Sequence, residues 1–124
     1  MFTEQELAHI FGVRTPAEVK RYPLTDISMD KNKVVYIELA VAGFSKEDID
    51  LEIKGNKLHI KGTNSREELD LEYVQRHISN QDFERVIALD DKYLSGKFDA
   101  ELNDGILTIM IEPVEPEKIK ISLK

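Results

Sequence analysis

Residues 98–111 carry the pattern that most restricts how this chain can fold. Apolar and polar residues alternate from Phe98 to Asn103, which is typical of a strand with one buried face. Asn103-Asp104-Gly105 then supplies residue types that tolerate the positive φ angles of a hairpin turn. The stretch from Ile106 to Ile111 is almost wholly apolar and rich in β-branching, which predicts a second strand covered on both faces. Residues 98–111 therefore predict a β-hairpin within an antiparallel sheet.

The same period-two alternation recurs along most of the chain. It predicts strands over 24–29, 34–42 and 83–89, and a second hairpin over 49–60 around Gly55-Asn56. The polar stretch from Ser45 to Asp48 indicates a single N-capped turn between two of these strands. Seven or eight short strands without a long helix predict an all-β fold, an antiparallel β-sandwich with one core between its sheets.

The segment 62–82 leaves two interpretations open. Polar and charged residues dominate its first half, which indicates a loop. Alternation from Leu69 to Tyr73 predicts a short strand on that protruding loop. Its Glu and Leu content equally allows a helix from Ser65 to His77. Farther on, residues 90–95 form a connection that can hold one helical turn.

The first residues of the chain predict a short helical arm. Thr3 and Glu6 fit a capping box, and Leu7, Ile10 and Phe11 follow on one helical face. A helix of about two turns is too short to be stable alone. It must therefore pack on its own domain, on a second subunit or on another protein.

Pro113 and Pro116 end the regular strand pattern, because proline cannot donate to a sheet. Beyond them the apolar residues are Ile119, Ile121 and Leu123, all at period two. This segment can fold onto its own domain as a terminal strand, or dock on a neighbouring subunit and build a larger assembly. We thus expect an arm (1–22), a sandwich domain (23–113) and a tail (114–124).

Composition argues against several classes of function. The formal net charge is −7 and no basic stripe is present, so nucleic acid is not an expected partner. No apolar run is long enough to span a bilayer, no secretory signal is visible and cysteine is absent, which favours the cytoplasm. The three histidines lack metal-ligand spacing, and no nucleophile elbow or phosphate-binding glycine loop occurs. We expect no enzyme activity, cofactor, metal or small-molecule substrate.

Arg85 is the one charged residue that the pattern places on an apolar strand face. It alternates in step with Phe83, Ile87 and Leu89. A charge there is costly unless it is paired or hydrated. Either this face is an edge open to solvent, or Arg85 meets a carboxylate across a subunit interface.

Several motifs together resemble the small heat-shock protein family. The run Ala42-Gly43-Phe44 leading into the Ser45–Ile49 turn, and the Asp82–Arg85 run, are similar to the bacterial inclusion-body-binding branch. Asp104-Gly105-Ile106-Leu107 resembles the signature near the end of the α-crystallin domain. Ile119-Lys120-Ile121 resembles the Ile-x-Ile anchor of the family. The resemblance extends over roughly residues 22–124 and implies the immunoglobulin-like sandwich of the α-crystallin domain.

The resemblance implies an ATP-independent chaperone, a holdase that binds partly unfolded proteins and prevents their aggregation. It further implies a homodimer that assembles into higher oligomers, with the 62–82 loop reaching into the partner's sheet and residues 71–75 as the exchanged strand. The tail would dock in the groove between the sheets of a neighbouring dimer. The implied oligomer anchors are Ile119 and Ile121. The implied dimer-interface residues are Arg85, Leu71, Tyr73 and Val74. The implied client-binding residues of the arm are Phe2, Leu7, Ile10, Phe11 and Val13.

A second interpretation belongs to a different functional class. A co-chaperone or adaptor module with the same sandwich fold would bind one folded partner. The Ile-x-Ile tail argues against this alternative, since such modules usually lack the anchor.

Overall fold

A computed structural model describes residues 22–67, 69–78, 81–114 and 121–123. In these ranges the chain forms seven β-strands, one 3-10 turn at Lys46–Asp48 and one short helix, α1, at Asp91–Leu94. The strands are β1 (Thr25–Met29), β2 (Val35–Ala40), β3 (Ile49–Lys54), β4 (Lys57–Gly62), β5 (Phe83–Ala88), β6 (Lys97–Asn103) and β7 (Ile106–Glu112). The predicted arm, with all its client-binding candidates, lies outside the described residues, as does Ile119.

The strands form two antiparallel sheets. One has the order β1-β2-β7-β6 and the other has the order β3-β4-β5. The predicted all-β sandwich is therefore confirmed. The single turns predicted after Ser45 and within 90–95 are confirmed as well.

Both predicted hairpins form, because their turns contain residues that accept a positive φ angle. Asp104 and Gly105 adopt φ angles of 50° and 79° between β6 and β7. The register then sets Leu102 opposite Leu107. In the other hairpin the Gly55-Asn56 turn sets Lys54 opposite Lys57. Turn chemistry thus fixes which side chains of each hairpin share a face.

The core lies between the inner faces of the two sheets. Val35, Ile37 and Leu39 of β2, together with Val41 just beyond the strand, are buried as predicted. They belong to one apolar cluster with aliphatic side chains of β7 and β4. Burying each of these side chains stabilises the fold by about 1.5–3 kcal/mol relative to exposure. The buried apolar residues are Val35, Ile37, Leu39, Val41, Phe44, Leu58, Ile60, Phe83, Ile87, Leu89, Tyr93, Leu107, Ile109 and Ile111.

Helix α1 is joined to the sandwich by Tyr93. Its ring is fully buried, and its hydroxyl donates a 2.9 Å hydrogen bond to the carbonyl oxygen of Lys33. Lys92 accepts a 2.9 Å hydrogen bond from the backbone N–H of Val114. The connection between the two sheets is therefore tied both to the β1–β2 turn and to the residues after β7.

The structure corrects the expectation that β7 is covered on both faces. Leu107, Ile109 and Ile111 are buried, but Thr108 and Met110 are half-buried and Ile106 is exposed. The strand is central in its sheet, so both its edges are paired. Among the described residues, no second layer lies over the outer face of that sheet.

The structure also corrects both interpretations of the 62–82 segment. Residues 63–67 and 69–78 contain neither a strand over Leu69–Tyr73 nor a helix over Ser65–His77. A strand needs a neighbour to bond its backbone, and within this single chain the loop has none in the described ranges.

Candidate functional site

An open apolar groove runs between the edge strands β3 and β6. Ile49 and Leu51 form one wall, Ala100 and Leu102 form the other, and Leu107 lies at its base. Its volume is about 460 Å³, within the range of about 300–1,000 Å³ typical of ligand-binding clefts. The charged and polar residues that line it are Ser45, Lys46, Glu47 and Glu101.

The groove is open because the facing sheet covers β3 only in part. Residues directly opposite each other in an antiparallel pair share a face, and Leu51 and Ile53 lie opposite the buried Ile60 and Leu58. Leu51 and Ile53 therefore face inward, yet they keep 38% and 41% of their surface exposed. The aliphatic side chains of β3 are therefore only partly covered by the rest of the domain.

The 3-10 turn that borders this groove is held by Asp48. One carboxylate oxygen accepts a 2.6 Å hydrogen bond from the Ser65 hydroxyl, and the other accepts a 3.0 Å bond from the Ser45 backbone N–H. The second bond is half of a capping box. The Ser65 hydroxyl, followed by the Ser45 N–H, holds the pKa of Asp48 below its ordinary value. Asp48 thus links the groove wall to the start of the long loop.

The base of that loop is fixed by two further contacts. The backbone N–H of Asn64 donates a 2.7 Å hydrogen bond to the Asp82 carboxylate at the other end of the loop. The guanidinium of Arg66 lies over Gly43, where an added Cβ would come within 3.0 Å of it. Gly43 also adopts a φ angle of 94°, which favours glycine. The loop therefore projects from a defined base.

Beyond its base the loop presents apolar side chains to solvent. Leu71 and Tyr73 keep more than half of their surface exposed, and Val74 is fully exposed. The Arg76 guanidinium lies 4.4 Å from the centre of the Tyr73 ring, in cation–π geometry. An exposed apolar group on a projecting loop is typical of a segment that a partner chain covers.

Arg85 lies on β5, the edge strand of the smaller sheet. Its register partner is the buried Ile60, so its side chain belongs to the inner, apolar face as predicted. The residue is half-buried. The structure therefore places Arg85 on the inner face of a strand that lies at the edge of its sheet.

The described part of the tail does not pack on its own domain. Ile121 and Leu123 keep 88% and 100% of their surface exposed. Residues 121–123 form no strand.

The described residues hold no group of three or more His, Asp or Glu side chains that could bind a metal ion. His59 lies instead 3.2 Å from a Glu84 carboxylate oxygen on the neighbouring strand. His77 lies 3.3 Å from the Gln75 amide nitrogen. In the same part of the chain, no helix has the length and apolar character needed to cross a membrane.

Residues 26–124 match the Hsp20/alpha crystallin family. The chain belongs to this family. Small heat shock protein IbpB of Klebsiella pneumoniae is 31% identical to this chain over 109 residues, which cover 87% of this chain and 75% of the relative. Small heat shock protein IbpA of Pectobacterium carotovorum is 30% identical over 99 residues, covering 80% and 71%. The predicted resemblance to the inclusion-body-binding branch is thus confirmed.

Solved structures of other family members share the fold of this chain. The small heat shock protein AgsA from Salmonella typhimurium, in a C-terminally truncated form, superposes with a TM-score of 0.63 at 26% identity, covering 80% of the chain and 98% of AgsA. The small heat shock protein of Synechococcus phage S-ShM2 superposes with a TM-score of 0.64 at 26% identity, covering 83% and 97%.

These relationships establish the class of function. This chain is a chaperone of the holdase type that acts without ATP, and it is not an enzyme. Members of the family form oligomers and bind unfolded client proteins.

Sequence reasoning missed the residues that build the groove. Alternation correctly assigned an inner aliphatic face to β3, but it gave β4 the same pattern and could not tell which of the two strands is uncovered. The roles of Asp48 and Ser65 at the base of the loop were missed as well. Their separation along the chain hides a contact that forms when the 3-10 turn meets the end of β4.

Proposed function

We propose that this small heat-shock protein holds partly unfolded clients as a homodimer that assembles into higher oligomers. One observation carries the proposal: aliphatic side chains remain exposed on the inner face of β3 and on the projecting loop. A folded monomer seldom exposes large connected apolar areas unless another chain covers them.

The dimer would form by exchange of the projecting loop. Residues 71–75 of one copy would add a strand to an unpaired sheet edge of the other. Strand β1 offers such an edge, since within the described residues it pairs with β2 alone. Its inward residues Ile27 and Met29 are half-buried against the core, where Leu71 and Tyr73 of a partner could cover them. Arg85, half-buried at the β5 edge, would take part in the same interface.

Higher assembly would form through the tail. Ile119 and Ile121 of one dimer would dock in the groove between β3 and β6 of another. The contact is head-to-tail, so it joins dimers into larger particles. The exposure of Ile121 on its own domain supports this arrangement.

Client binding would use the arm together with apolar surface that assembly leaves open. The arm residues Phe2, Leu7, Ile10, Phe11 and Val13 are apolar, and a short amphipathic segment can cover exposed core residues of an unfolding protein. The bacterial heat-shock relatives favour a cytoplasmic location, which fractionation of cells with an antibody to the chain would test.

Light scattering from a heat-denatured client tests the chaperone activity. We expect the full chain to suppress the increase in scattering at stoichiometric amounts without nucleotide, and added ATP to change nothing. A variant with Phe11→Ser and Ile10→Ser should suppress scattering less at an unchanged native mass. Full-chain suppression that needs nucleotide, or no suppression at all, would contradict the proposal and favour an adaptor that binds one folded partner.

A further inference from the structure

The tail has one more apolar residue at the same spacing than its anchor motif requires. Ile119, Ile121 and Leu123 are separated by Lys120 and Ser122. In extended backbone, alternate residues project to one side, so all three apolar side chains share a face. Of the two that the structure describes, Leu123 is the more exposed, at 100% against 88% for Ile121.

Strand β3 carries a row of matching length. Ile49, Leu51 and Ile53 alternate along its inner face, where register sets them opposite Gly62, Ile60 and Leu58. The first and last residues of each row are four positions apart, which corresponds to about 13 Å of extended strand, both on β3 and in an extended tail. Ile49 and Leu51 line the groove, and the row continues beyond it to Ile53, which keeps 41% of its surface exposed. A tail that docks through only two side chains would therefore leave one end of the β3 row uncovered.

Charge favours the tail as the occupant of this row. Residues 118–124 contain three lysines and no acidic residue. The groove is lined by Glu47 and Glu101 against a single cation, Lys46. A basic extended segment with aliphatic residues at period two therefore fits the groove better than an acidic one. The charge contribution is modest and decreases with salt.

We infer that Leu123 is a third docking residue, so that the tail of a second copy binds the β3 row through three side chains rather than two. The inference rests on the tail docking proposed above and extends it. Ile121 meets Leu51 at the middle of the row, and Leu123 covers one end of it. Leu123 thereby determines how strongly dimers are held in the assembly.

Four full-length proteins test this: wild type, Leu123→Ala, Ile121→Ala and the control Ser122→Ala. Ser122 is the neighbour of Leu123 and projects from the opposite face of the extended segment. The measurement is the protein concentration at which assemblies dissociate to dimers, by size-exclusion chromatography with light scattering. We expect Leu123→Ala to raise that concentration about tenfold and Ser122→Ala to leave it unchanged. Far-UV circular dichroism should be the same for all four, since the substituted side chains of the tail are exposed.

The two variants separate this inference from the proposal beneath it. If Ile121→Ala dissociates the assemblies while Leu123→Ala behaves like Ser122→Ala, the anchor has two residues and the inference is overturned. If Ile121→Ala also has no effect, tail docking fails and the inference fails with it.

A double-mutant cycle checks the contact from the groove side. Leu123→Ala is combined in turn with Ile53→Ala and with Ile49→Ala, the two ends of the row. Coupling with one of them, seen as a combined effect smaller than the product of the single effects, supports the inference and gives the direction of the tail. Independent effects with both would refute it.

Discussion

The two strands of the β3–β4 hairpin have the same sequence pattern and opposite surroundings. Each alternates aliphatic with charged residues, and paired residues such as Leu51 and Ile60 share the inner face. Yet Leu58 and Ile60 are buried, whereas Leu51 and Ile53 are exposed. β4 is the central strand of its sheet and faces the core, while β3 is an edge strand that the rest of the domain covers only in part.

The difference separates two roles that an aliphatic side chain can have in this chaperone. On β4 it stabilises the domain by leaving water when the chain folds. On β3 it contributes little to folding of one copy and remains available to another chain. The same contrast applies on a larger scale, between the buried face of β2 and the exposed loop around Tyr73.

The largest expected effect is on stability, when one inward-facing side chain of β4 and one of β3 are truncated in separate variants. Ile60→Ala should lower the free energy of unfolding by about 2–5 kcal/mol, because it leaves a cavity in the core. Leu51→Ala should lower it by less than about 1 kcal/mol, since that side chain is already partly hydrated. Urea unfolding under conditions that favour dimers measures both. Equal losses would mean that β3 belongs to the core after all.

The next effect concerns assembly rather than folding. Ile119→Ala combined with Ile121→Ala should reduce the native mass to that of a dimer, because the groove loses its two anchors. Light scattering after size exclusion measures the mass, and circular dichroism confirms that the domain stays folded. Ser122→Ala provides a control with an intact anchor and unchanged charge. A mass that stays the same would show that the tail does not join dimers.

A smaller effect is expected at the edge of β5. Arg85→Ala should weaken the dimer about tenfold, because a half-buried guanidinium is expected to pair with a carboxylate across the interface. Val86→Ala, on the opposite face of the same strand, should leave dimer affinity unchanged. Analytical ultracentrifugation at nanomolar to micromolar concentration measures both. Equal affinities for wild type and Arg85→Ala would show that Arg85 is a surface residue.

The smallest effect links the groove wall to the loop and depends on pH. The pKa of Asp48 is depressed in the fold, so its contribution to stability is present above its ordinary value of 3.8 and is lost as the pH falls through the lowered value. Asp48→Asn should therefore reduce the melting temperature at pH 7, and the difference should shrink as the pH falls through the lowered pKa of Asp48. Asp50→Asn, an exposed position on β3, is the matched control. A difference that does not change between pH 7 and the acidic end of the titration would rule out the carboxylate hydrogen bonds as its cause.

Much of the fold could be predicted because the residues that define its turns and strand faces are close together in the sequence. Asp104-Gly105 and Gly55-Asn56 define their turns through backbone preference alone, and alternation then assigns faces to the strands on either side. The candidate anchor residues Ile119 and Ile121, and Arg85, could be singled out from the sequence. An apolar residue beyond the last strand, or a charge on an apolar face, is unusual in its surroundings. The 62–82 segment could not be predicted, since a strand or helix there depends on partners that its own residues do not specify.

Local sequence patterns were sufficient to predict the seven strands that form, their turns and the family, because periodicity and turn residues act over a few neighbouring positions. The tertiary structure decided which inward-facing side chains are covered. Leu51 and Ile60 are indistinguishable by pattern, and they differ because sheet order places one at an edge and the other in the middle. Burial depends on what lies across the sandwich, and that follows from packing the two sheets together rather than from the residues on either side in the chain.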